Sequence, residues 1–432
     1  MTDLFGGDSF FLVLIGIFFF FISFFSMKSG LILMALSMLF SPEFKMGSIG
    51  MRDVTLRLED VLIPILVLSW IAQRAMHRDG ALLVSTPLNK PILFLLGLSI
   101  VSSLRGIASE YVSPLPSFFY MLKTAQYFAI FFLFASDAKS EKQIKFYLWF
   151  AILTAAMIGF YTLLQVPSVR IFSGQRITAP FEGDAEPATM GGYMAFLLLI
   201  IFSLFIYQTK IAPRLVLGLL GIIIFIPFLF TLNRTSHAAL FLGLVFIGIV
   251  EKQKRYYVFI LLGIFILAQA FIPALRERLL YTITDAVNPG RELGVDFSFQ
   301  ERIYAFRKMF QTWKYSPLIG WGITSIEIVD SQYARTLHEI GIIGLGLWLW
   351  IFSRLLKIGH WLFDVLEDQT LKGMVLGYSA GILGLLLHGF GAITFYIVRI
   401  MEPFWFVSGL VMALYLIHTA RHHARPFHPV PE

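Results

Sequence analysis

Residues 187–209 read PATMGGYMAFLLLIIFSLFIYQT, with no charged side chain from end to end. A hydrocarbon core about 30 Å thick is crossed by a helix of about 20 mostly apolar residues, which is what this stretch supplies. Uncharged runs of the same kind recur at 9–27, 146–169, 215–233, 256–275 and 373–398. None shows the apolar-polar alternation over about ten positions that marks a membrane β-strand. The composition agrees: 57% of the chain is hydrophobic and 14% charged, against roughly 25% charged in an ordinary soluble domain. The expected fold is all-α, a polytopic integral membrane protein with about 12 transmembrane helices, since apolar runs of this length repeat along the whole chain.

The charged residues between the runs give an orientation. The stretches RAMHRDG (74–80), DAKSEKQIK (137–145), TKIAPR (209–214), EKQKR (251–255) and the C-terminal HTARHHAR are basic, and basic loops stay on the cytoplasmic side. The net charge of +7 therefore reads as membrane orientation and not as nucleic-acid binding. The first apolar segment lacks a basic leader and runs on into more apolar sequence, unlike a cleavable signal peptide. Within 10–40, Lys28, Ser29 and Gly30 mark either a hairpin turn or a point inside one long tilted segment. With no cysteine in the chain, disulfides, thiolate metal sites and cysteine nucleophiles are excluded.

Three parts follow from this reading. Residues 1–273 hold the N-terminal transmembrane helices, 274–337 form a large periplasmic segment, and 338–432 hold the C-terminal helices and basic tail. Shorter polar segments on the same outer side are 41–60 and 166–186. Loops as long as 274–337 are uncommon unless functional or disordered. Here Ile303, Phe306, Phe310 and Trp313 follow the spacing of an apolar helix face, which predicts a surface helix stopped by Pro317 in SPLIGWG.

No HExxH helix, GxxxxGK[ST] loop or GxSxG elbow is present. What remains is a set of outward-facing arginines with a few acids, histidines and tyrosines. Arg234, in TLNRTSHAAL, stands between two apolar runs. Its guanidinium fork suits a phosphate or pyrophosphate, and its bland reading is a cation reaching the interface. Arg176 and Arg302 are further outward cations, each equally readable as a solvated surface charge. Lys123 interrupts the run 117–135, as a functional cation or half of a structural ion pair. His388 reads as a core histidine holding a hydrogen bond, and Glu182, Asp184 and Glu186 as a solvated acidic turn more than a cation site. No metal and no cofactor is expected. In DSQYARTLHEIGIIGLG, Asp330, Ala334 and His338 would share one helix face, with Asp330 and Tyr333 at the interface. A base there can take or orient the proton of a sugar hydroxyl.

RITAPFEGDAEPATMGGYMAFLL, the arginine of TLNRTSHAAL, and QERIYAFRKMFQTWKYSPLIGWGITSIEIVDSQYARTLHEIGIIGLG occur in an order that resembles the O-antigen ligase and O-antigen polymerase superfamily of bacterial surface-polysaccharide assembly. LRLEDVLIPILVL near the start adds to the likeness. The last block is the most specific, joining an arginine-bearing helix, a Pro-Leu-x-Gly-x-Gly turn and a Glu-x-Gly-x-x-Gly segment.

The resemblance implies a metal-independent glycosyltransferase of the bacterial inner membrane, working on its periplasmic side on a polyprenyl-pyrophosphate-linked oligosaccharide. Its partners would be that donor, a glycan or lipid acceptor, membrane lipids and other polysaccharide-assembly proteins. Arg234 and Arg302 would match the arginines that hold the pyrophosphate, with Arg176 and Lys123 as further substrate contacts and Asp330, Tyr333 and His338 as catalytic candidates. Ligases usually carry His-Asn-x-Tyr where this chain reads Asp330, Ser331, Gln332 and Tyr333. That difference favours a polymerase of lipid-linked repeat units over a ligase to lipid A core. A polysaccharide transporter is the alternative of another class, and the chain shows no inverted repeat to support it.

Overall fold

The computed structural model describes residues 7–41, 43–49, 52–77, 84–169, 177–180, 186–277, 306–307, 309–326 and 330–424. The helices are α1 (Gly7–Phe25), α2 (Met27–Phe40), α3 (Leu58–His77), α4 (Asn89–Ala108), α5 (Pro114–Asp137), α6 (Glu141–Gln165), α7 (Pro187–Tyr207), α8 (Ile211–Phe230), α9 (Arg234–Val250), α10 (Arg255–Phe271), α11 (Gln332–Val365), α12 (Gln369–His388) and α13 (Val398–Ala424). Eight of them, α4 to α8 and α11 to α13, are long and apolar enough to cross a membrane, and four shorter apolar helices lie in α1, α2, α9 and α10. The chain is an all-α polytopic membrane protein. The polar stretch 41–60 holds the strands seen among the described residues, a hairpin of β1 (Glu43–Ile49) and β2 (Arg52–Arg57) with Glu43 opposite Arg57.

Two compact units interleave in sequence. One comprises residues 1–89, 126–151 and 402–432, the other 90–125 and 152–401. In the first, the stretch 10–40 is two helices broken at Ser26, whose hydroxyl caps α2 by accepting from Ser29 N–H. The break falls two residues before Lys28, and both helices pack on α3. Phe128 and Phe131 of α5 meet Trp405 of α13 edge to face, and Phe134 meets Phe406 in the same way.

The second unit is built around α7, which is buried along nearly its whole length between α8, α9 and α12. Lipid tails are as apolar as leucine, so close backbone approach through small residues has to hold such helices together. α12 supplies it with Gly373, Gly377 and Gly381 at intervals of four. A Cβ at Gly377 would meet the Ile200 backbone of α7, and one at Gly381 the Phe196 ring. Gly384 faces the Ala239 carbonyl of α9 in the same manner.

At one end of this unit α7, α9 and α11 begin and α12 finishes. At the other, α7 ends and α8 begins beside the basic loops. There Lys254 lies 4.1 Å over the Tyr207 ring, Tyr207 donates to Glu251, and Arg214 donates to Tyr257.

Candidate functional site

α11 is one helix in sequence and two in conformation, because Gly341 sits at φ 68, ψ −170. That break deprives the carbonyls of His338 and Glu339 of their usual donors, the amides of Ile342 and Ile343, and a bare polar backbone inside a membrane protein costs several kcal/mol per group. The turn at 317–322 replaces all four groups. Trp321 N–H donates to His338 O at 2.9 Å and Gly322 N–H to Glu339 O at 2.8 Å, while Ile342 and Ile343 donate to Pro317 O and Leu318 O at 2.9 and 3.1 Å. Ser102 of α4 adds a second bond to Glu339 O at 2.8 Å. Gly320 and Gly322 have φ of 71 and 101, a left-handed region that favours glycine. The two glycine motifs of the sequence are thus one device.

Above the break, Glu339 gathers the surrounding elements. Its Oε1 accepts from Arg335 Nε and from Thr324 N–H, both at 2.9 Å, and its Oε2 accepts from the Tyr396 hydroxyl at 2.6 Å. Arg335 and Glu339 are both buried, and the guanidinium lies 4.0 Å from the Tyr396 ring centroid and 5.0 Å from that of Tyr120. One of its terminal nitrogens, Nη2, is buried with no hydrogen-bond partner among the described residues. A desolvated pair needs such extra partners, since burial of two charges otherwise offsets their attraction. Burial first, and then the Glu339 carboxylate, hold the Tyr396 phenol well above its ordinary pKa, so it stays a donor. Thr324 pays a steric cost here, as a non-glycine residue at φ 71.

His338 is buried and held at both ring nitrogens, Nε2 with Thr312 Oγ1 at 2.8 Å and Nδ1 with Ser325 Oγ at 3.0 Å. Thr312 belongs to the surface helix expected from the sequence, of which residues 306–307 and 309–313 are described. Its packed face differs from the expected one. Met309 is 1% exposed and packs with Phe306, Trp313 and Ala334, whereas Phe310 is 54% exposed. The helix ends at Trp313, ahead of Pro317, and Ile303 lies outside the described residues.

Asp330 is exposed and precedes α11, whose cap is Ser331. It therefore does not share a helix face with His338; the helix begins two residues too late for that. Tyr333 is half-buried and donates to Leu386 O, and its ring lies 4.5 Å from that of the exposed Phe390. Gln332 fixes this corner, donating from its backbone to Gly389 O and Ala392 O and accepting Phe395 N–H on its side chain.

Arg234 opens α9 behind the cap Asn233, which accepts from Ser236 N–H at 2.9 Å, and Leu232 just before it is at φ 53. Thr235 packs on Gly391, and Ser236 bonds His388 Nε2 at 3.1 Å, with Thr394 on Nδ1 at 2.8 Å. The loop 389–391 consequently lies against both the start of α9 and the start of α11, which brings the neighbourhoods of Arg234 and Tyr333 together. Lys123 is half-buried in α5. Arg176, Arg302, Glu182 and Asp184 lie outside the described residues; Glu186 accepts from Thr189 at 2.6 Å.

Arg335, Glu339, Tyr120, Tyr396 and Phe390 were not singled out by the sequence reading. Only the first two left a signal, an Arg and a Glu four apart entering an apolar helix.

Residues 220–349 match a family model, Wzy_C, described as O-antigen ligase. The match runs from α8 into α11 and so contains Arg234, Arg302, Asp330, Tyr333, Arg335, His338 and Glu339. No curated protein matches the chain.

Proposed function

We propose that this chain, on the premise that it belongs to the O-antigen ligase and polymerase superfamily, joins lipid-linked oligosaccharide repeat units into a surface polysaccharide. The family match supports a membrane glycosyltransferase of the ligase or polymerase type. The observation that carries the finer reading is the convergence of Arg234 and the Asp330–Tyr333 corner across the loop 389–391. A forked cation and an exposed acid on the two segments that flank one loop suit a reaction that ejects an anion and takes up a proton.

In this reading an acceptor sugar hydroxyl attacks the anomeric carbon of the donor. The new glycosidic bond forms as the bond to the pyrophosphate breaks, and polyprenyl pyrophosphate leaves with the electron pair. Arg234, with Arg302 by resemblance, neutralises the departing oxygens, and Asp330 orients the hydroxyl and receives its proton. Charge stabilisation at the leaving group by fixed donors is commonly the largest catalytic contribution, so little basicity is asked of Asp330. Tyr333 shapes the corner beside it. No metal ion enters these steps.

The site end of the second unit is opposite the basic loops 209–214 and 251–255. By the positive-inside rule this supports a site on the periplasmic face of a bacterial inner membrane. The acid at position 330 favours polymerisation, and the description of the matching family favours the second reading, ligation to lipid A core.

The test is reconstitution with the lipid-linked repeat unit of the source organism. Longer lipid-linked glycans support polymerisation and glycan transferred to lipid A core supports ligation. Movement across vesicles without a new glycosidic bond would overturn both.

A further inference from the structure

We propose that Arg399 is a positioning residue for the donor substrate: it seats residues 177–180 at the site end of the second unit as a fixed wall beside the start of α9, an inference that rests on the glycosyltransferase reading above. Its Nη2 donates to Pro180 O at 3.0 Å. The segment is tied from a second side by Gln165, the last residue of α6, which accepts the Thr178 amide at 2.9 Å and donates to the Thr178 carbonyl at 3.2 Å. Ile177 and Ala179 are 0% and 1% exposed, so this irregular stretch of backbone is buried like a core element.

Two costs oppose an arginine in this place. Arg399 is 1% exposed, and a desolvated guanidinium is unfavourable unless its donors are used. It also stands in the first turn of α13, where the helix dipole disfavours a cation. A methionine would fill similar volume without either cost and could not hold Pro180. What the guanidinium holds is therefore the reason for its place.

The held segment lies beside the mouth. A Cβ at Gly192 of α7 would meet Ile400, the neighbour of Arg399, and the His388 ring, and one at Gly191 would meet Ser236, two residues after Arg234. From Pro180 the chain runs on to Pro187, where α7 starts, and Thr189 there donates to Glu186. The starts of α7, α9 and α13 and the segment 177–180 consequently share one corner. A wall fixed there confines the donor held by Arg234 and takes no part in bond making. Its loss weakens binding of the donor without slowing the reacting step.

The experiment uses the full chain in nanodiscs. Trypsin can cut after Arg176, but only when Ile177 leaves its buried seat. Fragments beginning at Ile177 should form slowly from wild type and about 10- to 100-fold faster from Arg399→Met, the change in local opening expected for loss of one charged hydrogen bond. Arg399→Lys keeps a donor towards Pro180 and should recover part of the protection. With the lipid-linked repeat unit as substrate, Arg399→Met should raise KM for the donor about tenfold and leave kcat per folded molecule near that of wild type, with Arg399→Lys in between. Gln165→Met frees Thr178 from the other side and should move both readouts the same way, so the test stands if Arg399→Met does not fold. Equal cleavage of wild type and both variants overturns the clamp. A fall in kcat at unchanged KM, or a lower melting temperature with both kinetic constants unchanged, overturns the positioning role and leaves Arg399 structural. The two readings fail separately: no glycosidic bond made by wild type removes the enzyme, and transfer with KM unaltered in both variants removes the positioning.

Discussion

Gly341 and Leu318 meet backbone to backbone: a Cβ on Gly341 would collide with the Leu318 carbonyl, the same carbonyl that accepts the Ile343 amide at 3.1 Å. The helix break and the turn that closes it are therefore one interlocked structure. Neither half is stable in that form without the other.

Gly341→Ala should accordingly destabilise the protein by more than the usual backbone penalty. At φ 68, ψ −170 the residue sits in a backbone region essentially reserved for glycine, where a Cβ costs about 1–3 kcal/mol, and the collision with Leu318 adds to it. Gly346→Ala is the control, because a Cβ there meets nothing within 4 Å. Thermal unfolding in detergent should show a clear loss for the first and no loss for the second. Equal melting curves would mean the turn yields freely.

The Arg335–Glu339 pair predicts a non-additive double-mutant cycle. Glu339→Gln leaves a buried guanidinium without its counter-charge, which costs about 3–5 kcal/mol in comparable sites. Arg335→Met alone should cost a similar amount by stranding Glu339. Replacing both with apolar residues should recover a large part of the loss, as buried ion pairs often allow. Losses that simply add would show that the two side chains are not coupled.

Tyr396 adds a pH dependence. Its folded pKa is raised by burial and then by Glu339, so the folded state holds the phenolic proton more tightly than the unfolded state. That contribution is complete below the unfolded value of about 10 and is lost as pH rises beyond it. Tyr396→Phe should cost about 1–3 kcal/mol at neutral pH, because Glu339 Oε2 loses its donor, and should flatten the alkaline fall in stability. An unchanged alkaline limb would assign that fall to other groups.

The membrane class is plain in the sequence because apolar run length is a local property, and 187–209 already suffices for it. The same holds for the glycine turn, whose Pro-Leu-x-Gly-x-Gly spacing announces itself without revealing what it closes. The Glu339 cluster was illegible for the opposite reason. Tyr120, Thr324 and Tyr396 reach it from separate elements, and no periodicity links them. Asp330 shows a third case: periodicity placed it on the helix, and the start at Ser331 decided otherwise. Phe310 fits a helical repeat as well as Met309 does, and only packing against Ala334 distinguishes them. The glycines of α12, at intervals of four, were a readable packing signal.

Arg234 should be needed as a fork and not only as a charge. Arg234→Lys keeps the positive charge at the start of α9 and loses the paired donors that fit a pyrophosphate. Transfer of lipid-linked glycan should fall sharply in this variant while the protein inserts and melts as wild type. Full turnover in both Arg234→Lys and Arg234→Ala would exclude Arg234 from the donor site.

The last prediction separates the two candidates for handling the acceptor's proton. His338 is buried, with Thr312 on one ring nitrogen and Ser325 on the other, so neither nitrogen is open to a substrate in this arrangement. Asp330 is exposed and stands at the corner with Tyr333, across the loop 389–391 from Arg234. A carboxylate oxygen accepts a hydrogen bond from a sugar hydroxyl. Asp330→Asn keeps the shape and removes the charge, so transfer should fall by about 10² to 10⁴, the usual range for a positioned base. His338→Gln should instead act through stability, by loosening Thr312 and Ser325 and hence the turn at 317–322, with a lower melting temperature and a smaller loss of turnover per folded molecule. The opposite pattern, a stable His338→Gln protein without activity beside an active Asp330→Asn protein, would mean that the surface helix bearing Thr312 moves away during the reaction and frees the imidazole to act as the base.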